Sequence, residues 1–171
     1  MEPGGLTVEI REIRPDEHAE LSTLTVAANE VTHRALEASY QAELADVTAR
    51  AEQAVVLVAT EGGRVLGGVT YVGDADNPLA EHTDPHAASI RMLAVATDAH
   101  RRGIGRRLTE ACTSRAASEG KESLVLHTID TNVSGIAFYE ALGFERVPEL
   151  DWEPEPGIRL LGLRIEVAFA G

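Results

Sequence analysis

The stretch from Ser89 to Ile129 constrains the fold most. Ser89 to Val95 reads as a strand. A turn with glycines at 103 and 105 follows. Gly103 to Ser118 then reads as a helix with Ile104, Leu108, Ala111 and Cys112 on one face, ended by Gly120. Leu124 to Ile129 is nearly all apolar, as a central strand covered on both faces must be. Strand, helix and buried strand in this order specify an α/β architecture.

The flanking elements fit it. Thr7 to Ile13 alternates as a strand, and Pro15-Asp16 signals a helix start. Leu21, Leu24, Ala28 and Val31 form one helical stripe; Leu36, Tyr40, Leu44, Val47 and Ala51 form a second, with a break expected near residues 29–33. Val55 to Thr60 and Arg64 to Val72 are joined by Glu61-Gly62-Gly63, a hairpin signal. Residues 73–87 read as a loop. Ser134 to Leu142 reads as a short helix closed by Gly143, and Phe144 to Val147 as a strand. Residues 148–157, with three prolines, read as a loop, and Arg159 to Phe169 as a final alternating strand. The expected order is β-α-α-β-β-β-α-β-α-β-β, a mixed sheet in a single domain over residues 1–171.

The 171 residues suffice for one core. A net charge of −13 argues against a nucleic-acid partner bound through a broad basic surface. It also serves as a solvated acidic surface that keeps the chain soluble. Cys112 is the one cysteine, so an intrachain disulfide or a cysteine-based zinc site is excluded. No apolar run approaches the roughly 20 residues that span a membrane. Met1-Glu2-Pro3-Gly4-Gly5 has no basic n-region, so a cytoplasmic location is expected.

The sign of the charge inverts locally. Arg101, Arg102, Arg106 and Arg107 stand around Gly103 and Gly105, where the strand ends and the helix begins. A helix's first turn exposes backbone N–H groups without intrahelical partners and carries about half a positive charge. Glycines there permit close approach, so the turn suits an anion, most naturally a pyrophosphate. The alternative is a glycine turn with a solvated basic helix start. The pattern is neither a Walker loop nor a dinucleotide fingerprint. Adjacent apolar Met92 and Leu93 break strict alternation, which suits either a bulge or an ordinary buried strand end.

His100-Arg101-Arg102-Gly103-Ile104-Gly105 resembles the Gln/Arg-x-x-Gly-x-Gly/Ala acyl-CoA signature of the GNAT superfamily of N-acetyltransferases. Asn132-x-x-Gly135-x-x-x-Tyr139-Glu140-x-Leu142-Gly143-Phe144 resembles that family's second motif, with Gly135 where alanine is usual and His100 where glutamine or arginine is usual. The resemblance implies a mostly antiparallel central sheet of about seven strands with about four helices, splayed between the fourth and fifth strands. It implies acetyl-CoA as co-substrate, held by Leu93, Ala94, Val95, His100, Arg101, Arg102, Gly103, Ile104, Gly105, Arg106, Asn132 and Tyr139. It further implies that the backbone N–H near Leu93 polarises the thioester carbonyl and that Tyr139 protonates the departing thiolate. On pattern alone Tyr139 reads as a core aromatic, and Asn132 as an N-cap residue that could also contact the cofactor.

The resemblance implies a glutamate base on the fourth strand, but the base is not legible, since Ser89-Ile90-Arg91-Met92 carries no acid. Glu81, His82, Asp84 and His86 precede it, as a solvated loop, a base acting through water, or an incomplete zinc pair; no metal is expected. Acceptor specificity is expected from residues 29–40 and 150–157, where Asp151, Trp152, Glu153 and Glu155 could receive a cationic amine. Trp152 packed on the sheet edge is the alternative. Any homodimer is expected to form through the last strands. Rival readings are a non-catalytic acyl-CoA-binding module on the same fold and a binder of another phosphorylated ligand.

Overall fold

A computed structural model describes residues 7–32 and 38–167. The described residues form eight strands and five α-helices: β1 (Glu9–Glu12), α1 (His18–Thr32), α2 (Ala38–Ala45), α3 (Val47–Gln53), β2 (Val55–Glu61), β3 (Arg64–Val72), β4 (Ala87–Val95), α4 (Ile104–Ser118), β5 (Ser123–Ile129), α5 (Val133–Ala141), β6 (Glu145–Arg146), β7 (Trp152–Glu155) and β8 (Ile158–Glu166). Short 3-10 turns precede α1, follow β4 and follow β6. This is a mixed α/β fold with a mostly antiparallel sheet. No helix among the described residues is long and apolar enough to cross a membrane. The chain divides into two compact units, Met1–Tyr71 with Met92–Ala111, and Val72–Arg91 with Cys112–Gly171.

In the first unit β1, β2 and β3 pair antiparallel in sequence, and Gly62 (φ 57°) and Gly63 (φ 80°) close the β2–β3 hairpin. Ala96 N donates to Leu66 O at 2.8 Å, tying the end of β4 to β3. Leu21 of α1 and Val47 of α3 bury against Val56, Val58 and Val65. Each such side chain contributes about 1.5–3 kcal/mol by leaving water. The second helical stripe is interrupted at Asp46, whose carboxylate accepts from Ala49 N at 3.1 Å and caps α3. Buried Arg50 donates to the Glu43 and Leu44 carbonyls at the end of α2. The expected break near residues 29–33 comes later than the sequence suggests, because α1 continues through Asn29 to Thr32; His33, Leu36 and Phe169 lie outside the described residues.

In the second unit β4 and β5 run parallel, but their pairing covers only Ala87–Ser89 against Ser123–Val125. β4 continues to Val95 and β5 to Ile129. β5 pairs antiparallel with β8 from Ser123–Glu166 to Ile129–Leu160. β6 and β7 both pair with β8. The expected loop at 148–157 is therefore corrected: Trp152–Glu155 is a short strand, paired with β8 at Trp152–Leu160 and Glu155–Ile158 with an irregular register between. Pro154 stands within it and Pro156 just after it, consistent with an edge strand.

Candidate functional site

In the first unit β4 turns sharply before it meets α4. Met92 adopts φ 56°, the left-handed region that a non-glycine residue occupies at a cost of about 1–3 kcal/mol. The kink falls at the broken alternation and redirects Leu93, Ala94 and Val95. Ala94 is buried; Leu93 and Val95 are half-buried. Past a 3-10 turn over Thr97–Ala99, the chain reverses through Arg101 (φ 67°) and Gly103 (φ 75°) into α4. Arg107 N closes the first turn onto Gly103 O at 3.0 Å. The N–H groups before it, at Gly103, Ile104, Gly105 and Arg106, are the donors a helix leaves without intrahelical acceptors.

Packing fixes where this helix end stands. Ile104 and Leu108 are buried, and a Cβ on Gly67 would lie 2.7 Å from Ala94 O, 3.2 Å from Ile104 Cγ2 and 3.3 Å from Leu108 Cδ1. Gly67 thus lets α4 lie against β3 and the end of β4. His100 binds its own turn: Nε2 donates to Val95 O across a long 3.3 Å hydrogen bond.

Two of the four arginines are engaged. Arg102 makes a bidentate ion pair with Glu61, and Arg106 Nε donates to Glu110 Oε1 at 2.8 Å. Arg101 and Arg107 are exposed and carry no ion pair among the described residues. The sequence overstates the local positive charge, because Glu61 lies 41 residues away on β2.

In the second unit α5 carries the other motif. Asn132 is its N-cap: Oδ1 accepts from Gly135 N at 3.1 Å and Nδ2 donates to Thr128 Oγ1 at 3.1 Å. A Cβ on Gly135 would overlap the Asn132 side chain. The unusual glycine therefore makes room for this cap. Tyr139 is half-buried, its ring edge-on to Phe138 (5.1 Å) and Phe144 (5.5 Å). Burial raises its hydroxyl pKa, and the Glu81 carboxylate and Cys112 raise it further. Tyr139 is held as a proton donor at all physiological pH. Burial pushes the Cys112 thiol up to about 12, which makes it an inert core residue.

The loop before β4 is not simply solvated. His82 is 6% exposed, with Nδ1 2.9 Å from Ser89 Oγ, and burial followed by Lys121 lowers its pKa. His86 is exposed, its backbone N–H donating to Asp84 at 2.8 Å. The two histidines are thus in different environments, and no three potential ligands converge among the described residues.

Glu81 meets a residue that the sequence reading missed. Its Oε2 accepts from His127 N at 3.1 Å and lies 3.5 Å from His127 Nδ1, while His127 Nε2 donates to Leu150 O at 2.8 Å. Burial lowers the His127 pKa, but Glu81, the Leu150 carbonyl and Asp151 outweigh it and the net shift is upward. A lone imidazole within the apolar run of β5 was the available signal. Asp151, an expected contact for a cationic acceptor, is spent structurally. It accepts from Arg146 at 2.6 Å, from Arg159 at 3.3 Å and from Gly162 N at 2.8 Å, and its carboxyl is 8% exposed. Trp152 is 52% exposed rather than packed on the sheet, and Glu153 and Glu155 are exposed beside it.

A model of the Acetyltransferase (GNAT) family matches residues 10–144. No curated protein matches the chain significantly. Among solved structures, an acetyltransferase of the GNAT family from Staphylococcus aureus superposes with a TM-score of 0.74 at 15% identity, covering 95% of this chain and 100% of that one. A ribosomal-protein-alanine N-acetyltransferase from Brucella melitensis does so with a TM-score of 0.66 at 21% identity, over 92% and 99%. An IAA acetyltransferase from Bacillus cereus gives 0.64 at 21% identity, over 94% and 99%. At these identities the structures establish the fold.

Proposed function

Because the chain belongs to the GNAT family of acetyltransferases, we propose that residues 1–171 act as one cytoplasmic N-acetyltransferase domain. It moves an acetyl group from acetyl-CoA to a primary amine by direct transfer in a ternary complex. The observation that carries this is the left-handed turn at Arg101 and Gly103, which presents the N-terminus of α4 with Arg101 and Arg107 unpaired among the described residues. Acetyl-CoA brings the activated thioester; its pyrophosphate is the anion this turn suits. Backbone N–H groups of residues 103–106 bind it, and Arg101 adds charge. Arg102 serves by holding the turn to Glu61, and His100 by holding it to Val95. Beyond the Met92 kink, Leu93 N–H polarises the thioester carbonyl, and Ala94 and Val95 guide the pantetheine arm. Tyr139 gives its proton to the leaving sulfur. Asn132 supports it by capping α5.

The acceptor is a small or peptidic amine, favoured when cationic, because exposed Trp152 with Glu153 and Glu155 offers a ring face and carboxylates. The absence of an acid between Ser89 and Met92 is the observation that favours a non-catalytic acyl-CoA-binding role instead. Thermal unfolding in the presence of ligands tests the cofactor class. CoA and acetyl-CoA should raise the Tm, with ATP and NAD inert; equal protection by ATP would defeat the reading.

A further inference from the structure

Glu81, in the loop between β3 and β4, and His127, on β5, both belong to the second unit. The imidazole is held at Nε2 and faces Glu81 through Nδ1. Leu150 O, 2.8 Å from Nε2, can only accept, so Nε2 carries the proton of the neutral ring. Nδ1 then turns a lone pair toward Glu81 Oε2 at 3.5 Å. A lone pair facing a carboxylate is repulsive, whereas a proton between them makes an ion pair. Side-chain exposure of 8% for His127 and 21% for Glu81 keeps that difference from being screened away. The arrangement is built to take up one proton.

The loop is positioned for this. Glu81 N donates to Ser89 Oγ at 3.0 Å, and Oε2 is held by His127 N at 3.1 Å. Both contacts to His127 use Oε2, which leaves Oε1 to a donor from outside. The other groups near the pair are Asp151, already neutralised by Arg146 and Arg159; Tyr139, which also feels Cys112; and His82, whose Nδ1 shares Ser89 Oγ with Glu81 N and whose pKa burial lowers. Neither Tyr139 nor Cys112 carries charge near neutral pH. The field of Glu81 at the Tyr139 hydroxyl places the expected proton donor within its electrostatic reach.

We propose that Glu81 is the base that takes the acceptor ammonium's proton at Oε1, directly or through one water, and that His127 is the positioning residue that shares that proton. This rests on the acetyltransferase reading above. The ammonium N–H bond breaks, its electron pair stays on nitrogen, and the proton goes to Glu81. The nitrogen attacks the thioester carbonyl; the C–N bond forms and the C–S bond breaks. Sulfur takes the Tyr139 proton, and the phenolate recovers one from the acylated nitrogen. One proton in all leaves through the Glu81–His127 pair to solvent.

The test is amine-dependent thiol release by the full chain from about pH 5 to about pH 11, which spans the reference values of imidazole, about 6.5, and ammonium, about 10.4. At neutral pH Glu81→Gln should lower kcat/KM for the amine about 10²-fold, with CoA affinity in calorimetry unchanged within a few-fold. The loss should shrink toward alkaline pH, where the amine arrives already deprotonated; a structural defect would not be rescued so. His127→Gln, which can still donate to Leu150 O, should cost less and move the acid limb of the profile to lower pH. Should a variant fail to fold, NMR of the wild-type His127 ring decides, since its titration must coincide with the acid limb. Glu81→Gln with a wild-type profile, a loss constant across pH, or a ring titration apart from the limb overturns the assignment. A wild type that binds CoA but releases thiol with no amine overturns the acetyltransferase reading itself.

Discussion

Met92 and Arg101 are held at positive φ without being glycine, and Gly103 completes the turn between them and α4. The first was legible, because two adjacent apolar residues break an alternating strand. The second was not, since nothing local to Arg101 demands φ 67°; the need to bring α4 back over Gly67 does. Gly105, in the first turn of α4, carries the sharpest prediction. Gly105→Glu should abolish CoA binding in calorimetry while leaving the thermal transition in place, because a carboxylate would stand at the helix end meant for phosphate. Unchanged affinity would remove the pyrophosphate from this turn. Tyr139→Phe should keep CoA affinity within a few-fold and lower turnover by about 10²-fold at every pH. Normal turnover would leave Tyr139 as the partner of Phe138 and Phe144 only.

Among the elements, α5 shows how a departure from a motif is compensated. Glycine inside a helix is ordinarily worse than alanine by about 1 kcal/mol. At position 135 a Cβ would displace the Asn132 side chain, whose cap contributes about 1 kcal/mol. Gly135→Ala should therefore fail to stabilise the protein in denaturant unfolding, whereas the same change in an Asn132→Ala background should stabilise it. A full alanine gain with Asn132 in place would show that the cap does not matter. Long elements with clean periodicity, β2, β3, α4, β5 and β8, were readable from the sequence. β7 was hidden by Pro154 within it and Pro156 after it, and its existence depends on pairing with β8, a tertiary event. The break between α2 and α3 was hidden because Leu44 and Val47 continue one apolar stripe across Asp46.

Across the molecule, 28 acidic residues face 15 basic ones. Fixed ion pairs engage some of these acids, Glu61, Asp98, Glu110 and Asp151 among them, each with an arginine, so the acidic surplus stays on the rest. What the sequence could not show is which acids these are, because partners such as Arg64 and Asp98 are 34 residues apart. Glu153 and Glu155 remain exposed on β7, so a cationic amine should be the better acceptor. Its apparent KM should rise with ionic strength and with the double change Glu153→Gln, Glu155→Gln. A neutral, salt-insensitive amine as best acceptor would reduce the acidity to a matter of solubility. We propose acetyl-CoA-dependent N-acetyl transfer, and release of CoA thiol from acetyl-CoA across a broad amine panel tests it most directly. Release that requires both the amine and an intact Gly105 turn is the predicted result; acetyl-CoA bound tightly, with no amine-dependent release from any member of the panel, would contradict it.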